Sequence, residues 1–176
     1  MDDVAGWGIE AMHRAIDGLK CKTAVHICYG YGIKANIDWK NSLGEEWRQY
    51  EKFFPALAKS RIGQVSLECI NSHVPLNLLS LLDGKDLLVG VIDVATDKVE
   101  TPEQVAEVIG NVTKVAPKEK IIACTNCGME DRAGARDASA CHHEAWRFPP
   151  WHLRSSVSSP AGRFSNDTLN WVNCSI

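Results

Sequence analysis

The stretch TAVHICYGYG, Thr23–Gly32, combines a clear strand pattern with the strongest candidate site of this sequence. Its first half, Ala-Val-His-Ile-Cys, predicts a strand, and Gly30 and Gly32 predict that the strand ends in a loop. Because alternate residues of a strand point to the same face, His26 and Cys28 project together from its C-terminal end. An imidazole and a thiol placed in this way supply half of a tetrahedral zinc site.

Two later strand ends offer the other half of such a site. Glu68 lies near the end of the apolar segment QVSLEC, and Cys127 follows the apolar segment IIACT. A carboxylate on an apolar strand needs a partner, which is either a metal ion or a cation across the fold. The alternative for His26, Cys28 and Cys127 is a buried histidine and two small core thiols.

Composition places the chain among ordinary globular proteins. It has 176 residues, of which 45% are hydrophobic and 23% charged, with a net charge of −3. This charge predicts no nucleic-acid partner, and no apolar run reaches the ~20 residues that span a bilayer. The N-terminus carries no signal-peptide pattern, and the seven scattered cysteines do not form a secreted disulfide framework. We therefore expect a cytoplasmic protein with free or metal-bound thiols and no membrane contact.

Strand and helix patterns alternate through the first 129 residues. This alternation predicts an α/β fold of parallel β/α units, whose sites lie at the C-terminal ends of the strands. The predicted strands are Thr23–Cys28, Gln64–Cys69, Leu87–Val94 and Lys120–Thr125. The predicted helices are Val4–Leu19, one that starts from a capping box at Ser42–Glu45 with a possible kink at Pro55, Val74–Leu82, and one capped by Thr101 and Gln104.

Residues 130–176 differ from the rest of the chain. They are poor in aliphatic residues, contain no lysine, and show no helical or strand period. We predict a boundary between a domain at 1–129 and an atypical tail at 130–176. The tail is interpreted either as a disordered appendage or as a frameshifted or fused end. Its Cys141-His142-His143 run is interpreted as a chance sequence rather than as a metal site.

Four segments resemble the C-terminal catalytic barrel of the cobalamin-independent methionine synthase family. They are H-I-C at His26–Cys28, S-L-E-C at Ser66–Cys69, G-V-I-D at Gly90–Asp93 and T-N-C-G-M at Thr125–Met129, in the family's order. The resemblance covers roughly residues 4 to 129. It implies a (β/α)8 barrel of the TIM type, of which the four β/α units present look like the second half.

The resemblance also implies a function. In the family one zinc ion is held by a histidine, two cysteines and a glutamate, which correspond here to His26, Cys28, Cys127 and Glu68. The implied activity is that of a methyltransferase, which transfers a methyl group to the thiolate of homocysteine and gives methionine. Asp93 has a weaker candidate role in orienting the substrate, and a plain strand-end hydrogen bond is the alternative.

This chain departs from the family pattern in two respects. Folate-using members carry a proton-donating histidine two residues after the aspartate of G-V-x-D, and Ala95 stands at that position here. We therefore do not expect methyltetrahydrofolate to be the methyl donor. A methylcobalamin-type or other small methyl carrier is expected instead. The first half of the barrel is also missing. The alternative function is therefore a non-catalytic zinc-binding remnant, and open barrel edges predict self-association.

For the other polar residues a structural role is the favoured interpretation. Cys124 and Cys127 form a single C-x-x-C motif, for which no second motif completes a structural zinc site. His73 is expected to face solvent or cap a helix, although it could face the site. Cys21 and Cys69 are interpreted as packing residues.

Overall fold

Strands and helices alternate along the described part of the chain, which comprises residues 4–30, 34–128 and 171–175 of a computed structural model. In this part, no helix is both long enough and apolar enough to cross a membrane. The strands are β1 (Ala24–Cys28), β2 (Gln64–Glu68), β3 (Asp86–Ile92), β4 (Ile121–Thr125) and β5 (Trp171–Ser175). The α-helices are α1 (Val4–Ala15), α2 (Lys34–Asn41), α3 (Phe54–Ala58) and α4 (Pro102–Val112), with 3-10 turns at Gln49–Lys52, Leu76–Leu82 and Lys118–Lys120.

All five strands are parallel and form one sheet in the order β4-β3-β2-β1-β5. The first four strands follow one another across the sheet without a reversal. A doubly wound sheet reverses its strand order at a switch point, whereas a β/α barrel adds strands in one direction. The predicted α/β fold of barrel type, with parallel β/α units, is therefore confirmed.

One face of the sheet carries the apolar core. Every second residue of the central strands belongs to a buried cluster with the helices and 3-10 turns, in which Phe54 and Leu57 of α3 are fully buried. The core residues of the strands are Val25, Ile27, Val65, Leu67, Leu87, Val89 and Val91. The alternate residues, among them His26 and Ser66, therefore point to the opposite face, which in a barrel is the interior.

Strand β5 was not predicted from the sequence. It pairs with β1 over Ala24–Cys28, and it comes from the predicted tail. The rest of that tail, including Cys141-His142-His143, lies outside the described residues. The boundary between 1–129 and 130–176 therefore stays a prediction.

The prediction was wrong for the segment between β1 and β2. No helix is predicted over residues 34–41, but they form α2, in which Lys34 and Asp38 make an (i, i+4) ion pair of 2.5 Å. Ser42 does not start a helix, because it follows the end of α2 and its hydroxyl donates to the carbonyl of Trp39. Pro55 lies in the first turn of α3, where its missing N–H is tolerated, and does not kink a longer helix.

Candidate metal centre

His26, Cys28 and Cys127 meet at the C-terminal end of the sheet. Their ligand-capable atoms all lie within 4.8 Å of one another, and 4.0 Å separates Cys28 Sγ from Cys127 Sγ. No other group of this kind occurs within residues 4–30 and 34–128. In a flat sheet β1 and β4 would lie about 14 Å apart, because each strand step adds about 4.8 Å. The curvature of the sheet and the turn after β4 bring Cys127 to Cys28.

The imidazole of His26 is held by its neighbour on β2. His26 is buried and pairs in register with Ser66, and its Nδ1 lies 3.0 Å from Ser66 Oγ. Its Nε2 is buried and has no hydrogen-bond partner among the described residues. With the proton on Nδ1, the ring donates to Ser66 and leaves the lone pair of Nε2 for a metal ion. Burial also lowers the pKa of His26, which favours this neutral form.

Cys28 holds its proton firmly in the absence of a cation. The pKa of this thiol is raised to about 12, mainly by burial and also by repulsion from the neighbouring Cys127 and Glu68. The side chain is 3% exposed. A metal ion bound here must therefore displace a proton, so metal affinity rises with pH.

Glu68 lies at the C-terminal end of β2, near the three residues but outside their group. It is half-buried, and its charge contributes to the raised pKa values of Cys28 and Tyr29. The carboxylate is thus close enough to act electrostatically on the thiols. Direct ligation by Glu68 stays a prediction.

Asp93 follows β3, and protein groups bind both of its carboxylate oxygens. Oδ2 accepts a hydrogen bond of 2.9 Å from the Asn71 side chain, and Oδ1 accepts one of 2.8 Å from the Ala95 N–H. Asp93 is 7% exposed, and these hydrogen bonds satisfy its buried carboxylate. They also order the loop after β3. The role in orienting a substrate is not tested by them and stays a prediction.

The remaining candidates lie outside the group of His26, Cys28 and Cys127, which we call the candidate metal-ligating group. The thiol of Cys124 donates to the carbonyl of Thr125 at 3.2 Å and lies 4.0 Å from Ser66 Oγ, so Cys124 is near this group without belonging to it. His73 is exposed and stacks on the ring of Trp47, with 4.7 Å between ring centroids. Cys69 packs against the core, as expected. The packing role predicted for Cys21 was wrong, because Cys21 is exposed in the turn before β1.

Two residues that were not predicted from the sequence, Ser66 and Asn126, hydrogen-bond to His26 or to the backbone beside Glu68. Ser66 precedes Glu68 by two positions, so the strand alternation that placed His26 and Cys28 on one face places Ser66 there as well. Asn126 precedes Cys127 and is 3% exposed, and its side chain binds the backbone at the end of β2. Its amide carried no signal in the sequence, since turn residues of this type are ordinarily solvated.

Two thiols and an imidazole offer the sulfur and nitrogen ligands that Zn²⁺ prefers. Hard cations such as Mg²⁺ and Ca²⁺ take oxygen ligands, whereas Zn²⁺ takes sulfur and nitrogen in tetrahedral geometry. The buried Nε2 of His26, which lacks a partner among the described residues, fits this interpretation, since a buried polar atom without a partner is costly. The three residues present therefore fit a zinc ion, with room in the tetrahedron for a fourth ligand.

Comparisons with known proteins point to one family. The model of the cobalamin-independent synthase catalytic domain matches residues 49–144, which include Glu68 and Cys127. A methionine synthase from Saccharolobus solfataricus strain P2 is 31% identical over 131 residues, which make up 73% of this chain and 34% of that protein. A methionine synthase from Sulfurisphaera tokodaii is 30% identical over 125 residues, covering 70% of this chain and 31% of that protein.

A solved structure agrees with these relatives. It is a B12-independent methionine synthase from Shewanella sp. W3-18-1 in complex with selenomethionine. The sequence identity is 61% and the TM-score 0.67, over 73% of this chain and 38% of that chain. The present chain thus spans only about a third of the length of its curated relatives.

Proposed function

The chain belongs to the family of cobalamin-independent synthase catalytic domains, and we propose that it carries the zinc-binding part of an enzyme that methylates the thiol of homocysteine to give methionine. One observation carries this proposal. A buried imidazole nitrogen without a partner among the described residues lies close to one buried and one half-buried thiol, at the end of a parallel sheet where β/α proteins bind ligands. The names of the relatives supply the reaction.

In this proposal His26, Cys28 and Cys127 hold zinc, and Glu68 is the fourth ligand. A homocysteine thiol that takes an open coordination position, or one vacated by a weak ligand, would have its pKa lowered by zinc bound there and would stay a thiolate at neutral pH. The chain's own residues prepare the place for it. Ser66 orients the His26 ring, Cys28 and Cys127 give up their protons, and the burial of His26 and Cys28 limits the access of water to these two ligands.

Metal analysis of purified protein tests the ligand set. We expect about one zinc per chain, lost in Cys28→Ser and in Cys127→Ser, because each change removes a thiolate from a tetrahedral site. The matched control is Cys124→Ser, which removes a neighbouring thiol outside the group and should leave zinc in place. Unchanged zinc content in both ligand variants would overturn the assignment.

A second candidate function is a zinc-binding remnant without catalysis. It is favoured by the extent of the chain, which covers 34% of one methionine synthase and 38% of the chain in the solved structure. Homocysteine binding to the zinc-loaded protein separates the two functions. A substrate site raises thiol affinity when zinc is bound, whereas a remnant holds zinc without binding homocysteine more tightly.

A further inference from the structure

Asn126 crosses a neighbouring strand to reach the strand that carries Glu68. It lies directly after β4, and its own N–H donates to the carbonyl of Ile92 on β3. Its side chain reaches past β3 to the end of β2. There Oδ1 accepts a hydrogen bond from the Cys69 N–H at 3.2 Å, and Nδ2 donates to the Ile70 carbonyl at 2.8 Å.

Gly90 makes this crossing possible. A Cβ at Gly90 would lie 2.4 Å from Asn126 Oδ1 and 2.6 Å from Asn126 Cα, far inside any real contact. It would also lie 2.8 Å from the carbonyl oxygen of Leu67. The pairing of β3 with β4 shifts register between Gly90 and Ile92, which moves the end of β4 relative to β3 at this point. The missing side chain of Gly90 is thus the space that the Asn126 amide fills.

The position of these contacts relates them to the metal-ligating group. Cys69 directly follows Glu68, and Asn126 directly precedes Cys127. Two hydrogen bonds from one buried amide therefore join the backbone next to one predicted ligand to the backbone next to another. Both polar ends of the amide are satisfied, so the contact has one geometry rather than several.

We infer that Asn126 and Gly90 form a clasp that sets the spacing between Glu68 and Cys127. In this role Asn126 is a positioning residue, since its contacts are to protein backbone and not to the reacting groups. The clasp rests on the proposed function only through its effect on zinc. Its own geometry involves protein atoms alone.

Zinc affinity measures the effect of the clasp on the ligands. Asn126→Ala removes both hydrogen bonds, and Gly90→Ala displaces the amide from the other side. We expect zinc binding, measured against a competing chelator, to weaken at least about tenfold in each variant, because residues that orient ligands typically change affinity by about 10–100-fold. Should Gly90→Ala fail to fold, Asn126→Ala decides.

Two changes on α4 are matched controls. Asn111→Ala removes an amide that accepts a hydrogen bond from Lys114, and Gly110→Ala adds a Cβ that meets nothing within 4 Å. Both should leave zinc affinity within about twofold of wild type, because surface changes of this kind rarely alter a distant site. Cobalt substitution adds a test of geometry. Thiolate-to-cobalt absorption per bound ion falls if the clasp places Cys127, and stays constant if Asn126 serves stability alone.

Amide hydrogen exchange tests the clasp without any metal. The Cys69 N–H donates to Asn126 Oδ1 and to the Gly90 carbonyl, so it should exchange about tenfold faster in metal-free Asn126→Ala. Unchanged exchange at Cys69, or unchanged zinc affinity in Asn126→Ala, would overturn the inference. Wild-type protein that binds no zinc would instead contradict the proposed function, and the exchange rates would still decide the clasp.

Discussion

Polar side chains lie at the two opposite ends of the parallel sheet. The C-terminal end holds His26, Cys28 and Cys127, whose ligand atoms lie close enough together to hold a metal ion. The N-terminal end holds Asp86, whose carboxylate accepts hydrogen bonds from Lys22 at 2.6 Å and Lys120 at 3.0 Å. In β/α proteins the first end serves function and the second serves stability.

Asp86 should make stability depend on pH in acid. Lys22 and Lys120 lower the pKa of Asp86 to about 2 from an ordinary 3.8, so its contribution is present above about pH 4 and is lost as pH falls through 2. Since both lysines are well exposed, we expect Asp86→Asn to lower the free energy of unfolding by about 1 kcal/mol at pH 7. Urea unfolding at pH 7 and pH 2 measures the difference from wild type, which should nearly vanish at pH 2.

The exposed Asp83 provides a control for this change. Asp83→Asn removes a nearby carboxylate for which no ion pair is found in the described part of the chain. Its effect should stay within about 0.5 kcal/mol at both pH values. Equal effects of the two substitutions at pH 7 would contradict a special role for Asp86.

Ala95 leads to a prediction about the methyl donor. It is exposed after β3, at the position where the family resemblance places a proton-donating histidine in folate-using members. A methyl side chain cannot protonate a leaving group. We therefore expect little or no methionine from methyltetrahydrofolate, even in a chain that spans the full length of the relatives, and more from a methylcobalamin-type donor. Comparable methionine formation from both donors would show that Ala95 does not decide the matter.

Among the elements, α4 owes its start to local sequence. Thr101 Oγ1 accepts a hydrogen bond from the Gln104 N–H, and Gln104 Oε1 accepts one from the Thr101 N–H. This capping box was predicted from the sequence and is confirmed. It satisfies N–H groups that have no partner inside the helix.

Removal of this cap should destabilise the whole fold. We expect Thr101→Ala to lower the free energy of unfolding by about 1 kcal/mol, because α4 packs on the core through Val112, Val108 and Val105. Thr113→Ala is the control at the other end of α4, where the hydroxyl only donates to the carbonyl of Gly110. Chemical unfolding curves should show a clearly smaller shift for Thr113→Ala. Equal shifts would mean that the cap has no special weight.

At the scale of the whole molecule, β4 is an edge strand of the sheet that the described residues form. In the described residues β4 pairs with β3 alone, and Ile122 on this strand is 44% exposed. An edge strand of this kind offers unpaired backbone groups and apolar surface to another chain. The matched residues make up only about a third of such a relative, so the corresponding surface in it has more chain available to cover it.

We predict that the isolated chain self-associates through this edge and has little methyltransferase activity as a monomer. Ile122→Lys should shift the mass measured by sedimentation towards the monomer, because a charged side chain on an edge strand opposes pairing. Val99→Lys is the control, since Val99 is 86% exposed in a loop away from the strands. A folded wild-type monomer at high concentration that makes methionine would refute this prediction.

The sequence by itself determined the features that depend on neighbours along the chain. Short apolar runs set the four strands β1–β4, and the capping residues set the start of α4. The two-residue spacing of His26 and Cys28 placed both on one face. The same local reasoning failed for α2, whose helix is supported by an ion pair and by stacking of Trp39 on Tyr29 rather than by an apolar stripe.

Only the tertiary structure decided which side chains meet. Cys127 reaches Cys28 because the sheet curves and the chain turns after β4, and neither follows from spacing in the sequence. Register placed Ser66 opposite His26, and the missing side chain of Gly90 admitted Asn126. Strand periodicity fixes a face but not a partner, because pairing between distant segments depends on register and closure of the whole sheet. The sequence therefore places each residue of the candidate metal-ligating group on its strand, and only the folded sheet brings these residues together.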